Sequence, residues 1–199
     1  LNFDFLRSEI LKIAKKYAGE EAIKQTEGYY IVEMIYEIDR ILDGSRPSFK
    51  EEAFEKLKLL ELEASKNKDV YPYTRKVLTG LKRRGIKTGI ITRTCLDVID
   101  MVFHDFRTYT DGIVTREGTR HLKPDPLHVH EMMSLIGVAP KETMMVGDHP
   151  TDITAGRSAG TLTAGVLTGR TTKDAFEKAG ATYILNDIRE IVSFQGIIR

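Results

Sequence analysis

Of the 199 residues only Cys95 is a cysteine. No disulfide can form within the chain, and a reducing compartment suits it. No apolar run approaches the ~18 residues of a membrane-spanning helix. The first apolar residues are broken by Asp4 and Arg7, unlike the core of a secretory signal. A cytoplasmic location is therefore expected. Charge of one sign is not in excess either: 30 Lys and Arg offset 29 Asp and Glu, for a net charge of +1. The basic footprint of a nucleic-acid partner is lacking, and neither a nucleic acid nor a membrane is expected as a partner. The glycine fingerprints of P-loop and dinucleotide-binding folds are missing. So are internal repeats and low-complexity segments.

What the chain does contain divides near residue 67. Residues 5 to about 66 have helical periodicity and no convincing strand. Phe5, Leu6, Ile10, Leu11, Ile13 and Ala14 form one apolar stripe, ending near Gly19. Ile31, Ile35, Ile38, Ile41 and Leu42 form a second, closed by Asp43-Gly44 as a helix C-cap. Phe54, Leu57, Leu60 and Leu62 are spaced for burial in a third helix over 49–64, after a turn at Ser45-Arg46-Pro47-Ser48. Beyond residue 68 the pattern alternates. Helices are expected over 74–84, 95–105, 125–136, 152–159 and 172–179, and strands over 86–92, 112–114, 143–146, 161–166 and 182–185. Short loops join them, the signature of a parallel α/β sheet. Two domains follow, residues 1–67 all-helical and 68–199 α/β.

Three strand ends carry groups suited to phosphate. In TMMVGDHPTDITAG, residues 143–156, an apolar run ends at Gly147, and Asp148 and Asp152 follow one helical turn apart. Open α/β sheets bind ligands at the carboxyl ends of their strands, and hard carboxylate oxygens placed there suggest Mg²⁺. A pair of helix-capping aspartates would look the same. Thr92-Arg93-Thr94 follows the strand GII, where a hydroxyl and backbone N–H groups can hold phosphate oxygens. Lys123, in His121-Leu122-Lys123-Pro124-Asp125-Pro126, supplies a cation on a loop stiffened by two prolines. Hydroxyl, ammonium and metal carboxylates together are what phosphoryl transfer requires, because positioning and charge neutralisation do most of that work.

Thr92, Lys123-Pro124-Asp125-Pro126 and Gly147-Asp148 with Asp152 resemble the second, third and fourth motifs of the haloacid dehalogenase-like (HAD) hydrolase superfamily. DGIVTREGTRHLKPDP, VGDHPTDITAGRSAGTLTAGVLTG and ATYILNDIREI are similar to its phosphoglycolate phosphatase-like branch. The resemblance is strong over about residues 69–190. It implies a Rossmann-like core with a parallel sheet, covered by an all-helical cap formed by the first domain. It further implies that Thr92 binds the transferred phosphoryl group, with contacts from Arg93 and Thr94. Lys123 would stabilise charge on the nucleophile and phosphate, Asp148 would bind Mg²⁺, and Asp152 would support the metal directly or through water. The implied activity is Mg²⁺-dependent hydrolysis of a small phosphate monoester, phosphoglycolate-like, through an aspartyl-phosphate.

The family's first motif, a strand ending in Asp-x-Asp-Gly-Thr, is not found. Asp4 is preceded by three residues and followed two positions on by Leu6, so it reads as a surface or N-cap residue. The expectation is that the chain begins after the nucleophile strand, which would leave a central strand of the sheet missing. The alternative is a catalytically inactive HAD-like binding or regulatory protein. The five histidines make no metal-ligand pattern. His128 and His130 should face different ways on their helix, and His149 should fill its loop. Cys95 reads as a packed small residue. Tyr29, Tyr30 and Tyr36 are candidates for a specificity surface.

Overall fold

The computed structural model describes residues 2–43 and 48–193. They form two compact units, Leu1–Lys68 and Asp69–Arg199.

The first unit is helical: α1 (Phe3–Tyr17), α2 (Glu20–Lys24), α3 (Ile31–Ile41) and α4 (Ser48–Ser65). Asn2, whose side chain accepts the N–H of Phe5, caps α1. Asp4 lies exposed in its first turn, where a carboxylate suits the positive end of the helix dipole. Leu6, Ile10, Ile13 and Ala14 of α1 meet Val32, Met34, Ile35 and Ile38 of α3 and Phe49, Ala53 and Leu57 of α4 in a core sealed from solvent. Each large aliphatic side chain so buried is worth about 1.5–3 kcal/mol. The buried row of α4 is Phe49, Ala53, Leu57, Glu61 and Ser65, a strict four-residue spacing. Phe54, Leu60 and Leu62 sit only half-buried beside it. The apolar residues of this helix outnumber the positions its neighbours can cover, so apolarity alone misplaces the stripe. Gly19 is followed by a further short helix, α2. Asp43 takes the left-handed conformation, φ 55°, while the proposed cap at Gly44 and the turn through Pro47 lie outside the described residues.

The second unit alternates in order: α5 (Thr74–Arg83), β1 (Gly89–Ile91), α6 (Leu96–Val102), α7 (Phe106–Tyr109), β2 (Gly112–Val114), α8 (Leu127–Ile136), β3 (Met144–Gly147), α9 (Pro150–Ser158), β4 (Leu162–Val166), α10 (Lys173–Ala179) and β5 (Tyr183–Leu185). Every strand pairing is parallel, as the alternation predicts. The strands form two sheets, β1-β2 and β3-β4-β5. The helix expected over 95–105 stops at Val102: Phe103 leaves the helical region, and α7 restarts at Phe106. Both phenylalanines are buried, and the break lets both turn inward. Among the described residues no helix is long and apolar enough to cross a membrane.

Strand β4 shows how the unit is layered. Ala164 and Val166 join Val77 and Leu81 of α5, Leu185 of β5 and Ile191 in one core. Thr163 and Gly165, on the opposite face, meet Gly156 of α9 and Phe176 of α10. Helices thus cover both faces of a parallel strand, as such sheets demand. Helix α8 lies over β1 and β2, where Gly89 and Gly112 stand opposite one another. Met132 and Leu135 occupy the space their side chains would need. Val129 and Met133 of α8 pack with Ala155 of α9, Ala159 just past its end and Ile91 of β1, so α8 and α9 link the two sheets.

Candidate active site

Each strand end expected to carry chemistry leads into a loop of defined geometry. After β1, the Thr92 N–H donates to the Val114 carbonyl at the end of β2, 3.0 Å away. The Thr92 hydroxyl accepts the Thr94 N–H at 3.1 Å, a local turn that fixes where its oxygen points. The Arg93 guanidinium donates to the Lys123 carbonyl. Arg116, buried just after β2, donates to the Arg93 carbonyl at 3.3 Å. The loop after β1 is therefore tied to both neighbours.

Lys123 gathers the site. Its ammonium donates to the Ile91 carbonyl at 3.1 Å, the last residue of β1, and lies 2.7 Å from Oδ1 of Asp152. One side chain touches both the strand end that precedes Thr92 and the helix that follows Asp148. Its own backbone N–H donates to Nδ1 of His128 at 3.3 Å.

Asp148 and Asp152 differ sharply. Asp152 is 4% exposed. Oδ1 meets Lys123 and Oδ2 accepts the His149 N–H at 3.0 Å. It is the third residue of α9 in a capping box with His149, and Pro150 opens the helix. Gly147 makes this approach possible, because a Cβ there would sit 2.0 Å from Oδ2 of Asp152. Asp148 is exposed at the end of β3. Its carboxylate has no hydrogen-bond or ion-pair partner among the described residues. A side chain at Gly169, beyond β4, would come within 2.6 Å of it, and the Thr171 hydroxyl holds its backbone carbonyl at 2.6 Å. Asp148 thus has a held backbone and an open carboxylate. Among the described residues no three His, Cys, Asp or Glu side chains come together as a metal cluster.

Sequence reasoning missed His128, which is wholly buried and sits four residues before Met132 on the inner face of α8. A histidine inside an apolar stripe, five residues from Lys123, was the available signal. Burial holds its pKa below the usual 6.5. His130 is half-exposed, so the two do face apart. His149 caps α9. Cys95 is buried at the start of α6.

The family profile for haloacid dehalogenase-like hydrolases matches residues 7–166. The chain belongs to that family. A pyrophosphatase, PpaX, from Bacillus velezensis is 33% identical over 132 residues, covering 64% of this chain and 60% of the relative. The chain thus matches less than two thirds of that protein's length. Among solved structures, a hydrolase from Pseudomonas syringae superposes with a TM-score of 0.70 at 21% identity, covering 98% of this chain and 92% of that one. A predicted phosphoglycolate phosphatase from Haemophilus somnus gives 0.64 at 17% identity, covering 94% and 89%. These likenesses establish the α/β fold of the HAD hydrolases.

Proposed function

We propose that the chain carries the phosphate- and Mg²⁺-binding part of a cytoplasmic phosphatase that hydrolyses a small phosphate monoester of the phosphoglycolate type. The carrying observation is the Lys123 ammonium, in contact with both the Ile91 carbonyl and Asp152. It draws the Thr92 loop and the Asp148 loop to one cation, with a hydroxyl on one side and an open carboxylate on the other. With Mg²⁺ on that carboxylate, such a set would hold a tetrahedral dianion.

In this reading Thr92 and Arg93 hold the phosphate oxygens, and Lys123 neutralises charge as it moves during transfer. Asp148 ligates Mg²⁺ directly. Asp152, both of whose oxygens already have partners, orients Lys123 and reaches the metal through water. Mg²⁺ commonly takes one or two protein carboxylates, with waters and substrate phosphate filling its remaining positions, so one open carboxylate with a second behind it fits. When bound, the ion would neutralise phosphate charge and align the ester. The name of the Bacillus relative brings inorganic pyrophosphate into the substrate panel.

In this reading the nucleophile is an aspartate of an Asp-x-Asp strand, a motif that residues 1–199 do not contain. Among the described residues β1 pairs only with β2, and β3 only with β4 on one side. The apolar residues on these strands, Ile90, Ile91, Met144, Met145 and Val146, are only partly buried, whereas β4, paired on both sides, is almost wholly buried. A further apolar strand between β1 and β3 would cover them and deliver its carboxyl end to Lys123.

Binding of inorganic phosphate in the presence of Mg²⁺, followed by ³¹P NMR, tests this. Thr92→Val and Lys123→Met should each weaken it severalfold or more. Unchanged binding in both variants would overturn the reading.

A further inference from the structure

His128 has no role in the proposal above, yet it joins two of its parts. Its Nδ1 lies 3.3 Å from the Lys123 backbone nitrogen, a group that can only donate. Its Nε2 lies 3.3 Å from the Val114 carbonyl, which can only accept. One tautomer satisfies both: Nδ1 bare, Nε2 protonated. The same Val114 carbonyl accepts the Thr92 N–H at 3.0 Å. One oxygen at the end of β2 therefore registers Thr92 directly and Lys123 through an imidazole.

We propose that His128 is a positioning residue that, as the neutral Nε2–H tautomer, fixes the Lys123 loop against the strand end bearing Thr92. The spacing between hydroxyl and ammonium that a phosphate needs is then set by one buried ring. This rests on the phosphate-binding reading of Thr92 and Lys123.

The surroundings keep the ring neutral. Burial is the main cause of its lowered pKa, and the positive charges of Lys123 and Arg93 act the same way. The Val114 carbonyl and Glu131, on the same helix, act against them but do not prevail. Protonation would place a proton on Nδ1, where the Lys123 N–H already points. The folded pKa is below that of the unfolded chain, so the ring's stabilisation is complete above pH 6.5 and is lost as pH falls toward the folded value.

Long-range ¹H–¹⁵N NMR of the chain reads the tautomer directly. Expected are a protonated Nε2 at neutral pH, titration below the ordinary histidine range, and Lys123 and Thr92 amide signals that move with it. Phosphate affinity, measured with Mg²⁺ on folded protein, supplies the second readout. His128→Leu should lower it about tenfold, roughly one lost hydrogen bond. His128→Asn, whose Oδ1 can still accept the Lys123 N–H, should recover most of the loss. His128→Gln, which can reach only Val114, should not. If the leucine variant fails to fold, the ranking of asparagine above glutamine decides. Wild-type affinity in all three variants, with Thr92→Val still impaired, overturns the positioning role and leaves the phosphate site standing. If Thr92→Val is unimpaired too, the phosphate reading falls and takes this proposal with it.

Discussion

The Lys123 ammonium and Oδ1 of Asp152 lie 2.7 Å apart, with side-chain exposures of 12% and 6%. A pair this enclosed has given up most of its hydration, and each charge depends on the other. Lys123→Met or Asp152→Asn alone should cost about 3 kcal/mol, because each leaves a buried group uncompensated. The double variant should cost clearly less than the sum, since neither stranded group remains. Urea unfolding of the four proteins measures the coupling. Strict additivity would mean that the two side chains do not depend on each other.

Gly147 is the position where shape rules over composition. An added methyl would lie 2.0 Å from Oδ2 and 2.5 Å from Cβ of Asp152, side-chain atoms held by the capping box. Gly147→Ala is expected to destabilise by about 1–3 kcal/mol and to abolish Mg²⁺-dependent phosphate binding. Gly19→Ala, with nothing within 4 Å of the new methyl, meets no clash and should leave phosphate binding unchanged, costing only the modest loss of a favoured N-cap residue. Thermal melts and phosphate titrations of the two variants check the contrast.

The ion pair of Arg75 and Asp105 contributes to acid sensitivity. The guanidinium donates through Nε and Nη2 to both carboxylate oxygens, each at 2.9 Å. These hydrogen bonds hold the Asp105 pKa below its usual 3.8. A carboxylate depressed on folding stabilises the protein above pH 3.8 and loses that effect as pH falls through the folded value. Asp105→Asn should therefore be less stable than wild type at neutral pH and converge with it in acid. Urea midpoints between pH 2.5 and 7 will show the convergence. A gap that persists unchanged at low pH would assign the effect to something other than ionisation.

The family was legible in the sequence because its signature rests on residue types at strand ends. Thr92, Lys123 and Gly147-Asp148 follow recognisable strands or loops, and the parallel α/β pattern came from simple alternation. What could not be read depends on which atoms finally touch. Asp148 and Asp152 look equivalent as a pair spaced by one turn. In the fold one is open, and the other is consumed by Lys123 and the His149 N–H. The helix break at Phe103 and the buried row of α4 through Ala53 and Glu61 are set by what packs against them, which local periodicity does not contain. The strand pairing is likewise a relation between distant segments, so the separation of β1 from β3 is invisible in either strand alone.

Under the proposed function Asp148 and Thr92 should matter to chemistry far more than to stability, because Asp148 is exposed and Thr92 only partly buried. In a catalytically competent form, Asp148→Asn and Thr92→Val are expected to reduce kcat/KM by about a hundredfold or more, as loss of groups that stabilise transferred charge does. Their melting temperatures should stay within a few degrees of wild type. Equal losses of stability and activity would place them in the scaffold instead.

The most direct test is activity from the chain extended ahead of Leu1 by an apolar strand ending in Asp-x-Asp-Gly-Thr. Release of inorganic phosphate is measured with and without Mg²⁺ on a panel that includes phosphoglycolate, sugar phosphates, nucleotides and pyrophosphate. The account predicts Mg²⁺-dependent turnover that is lost when the first aspartate of the added strand or Asp148 is changed to Asn. A folded, extended protein that hydrolyses nothing on the panel would contradict it and favour a non-catalytic binding or regulatory role.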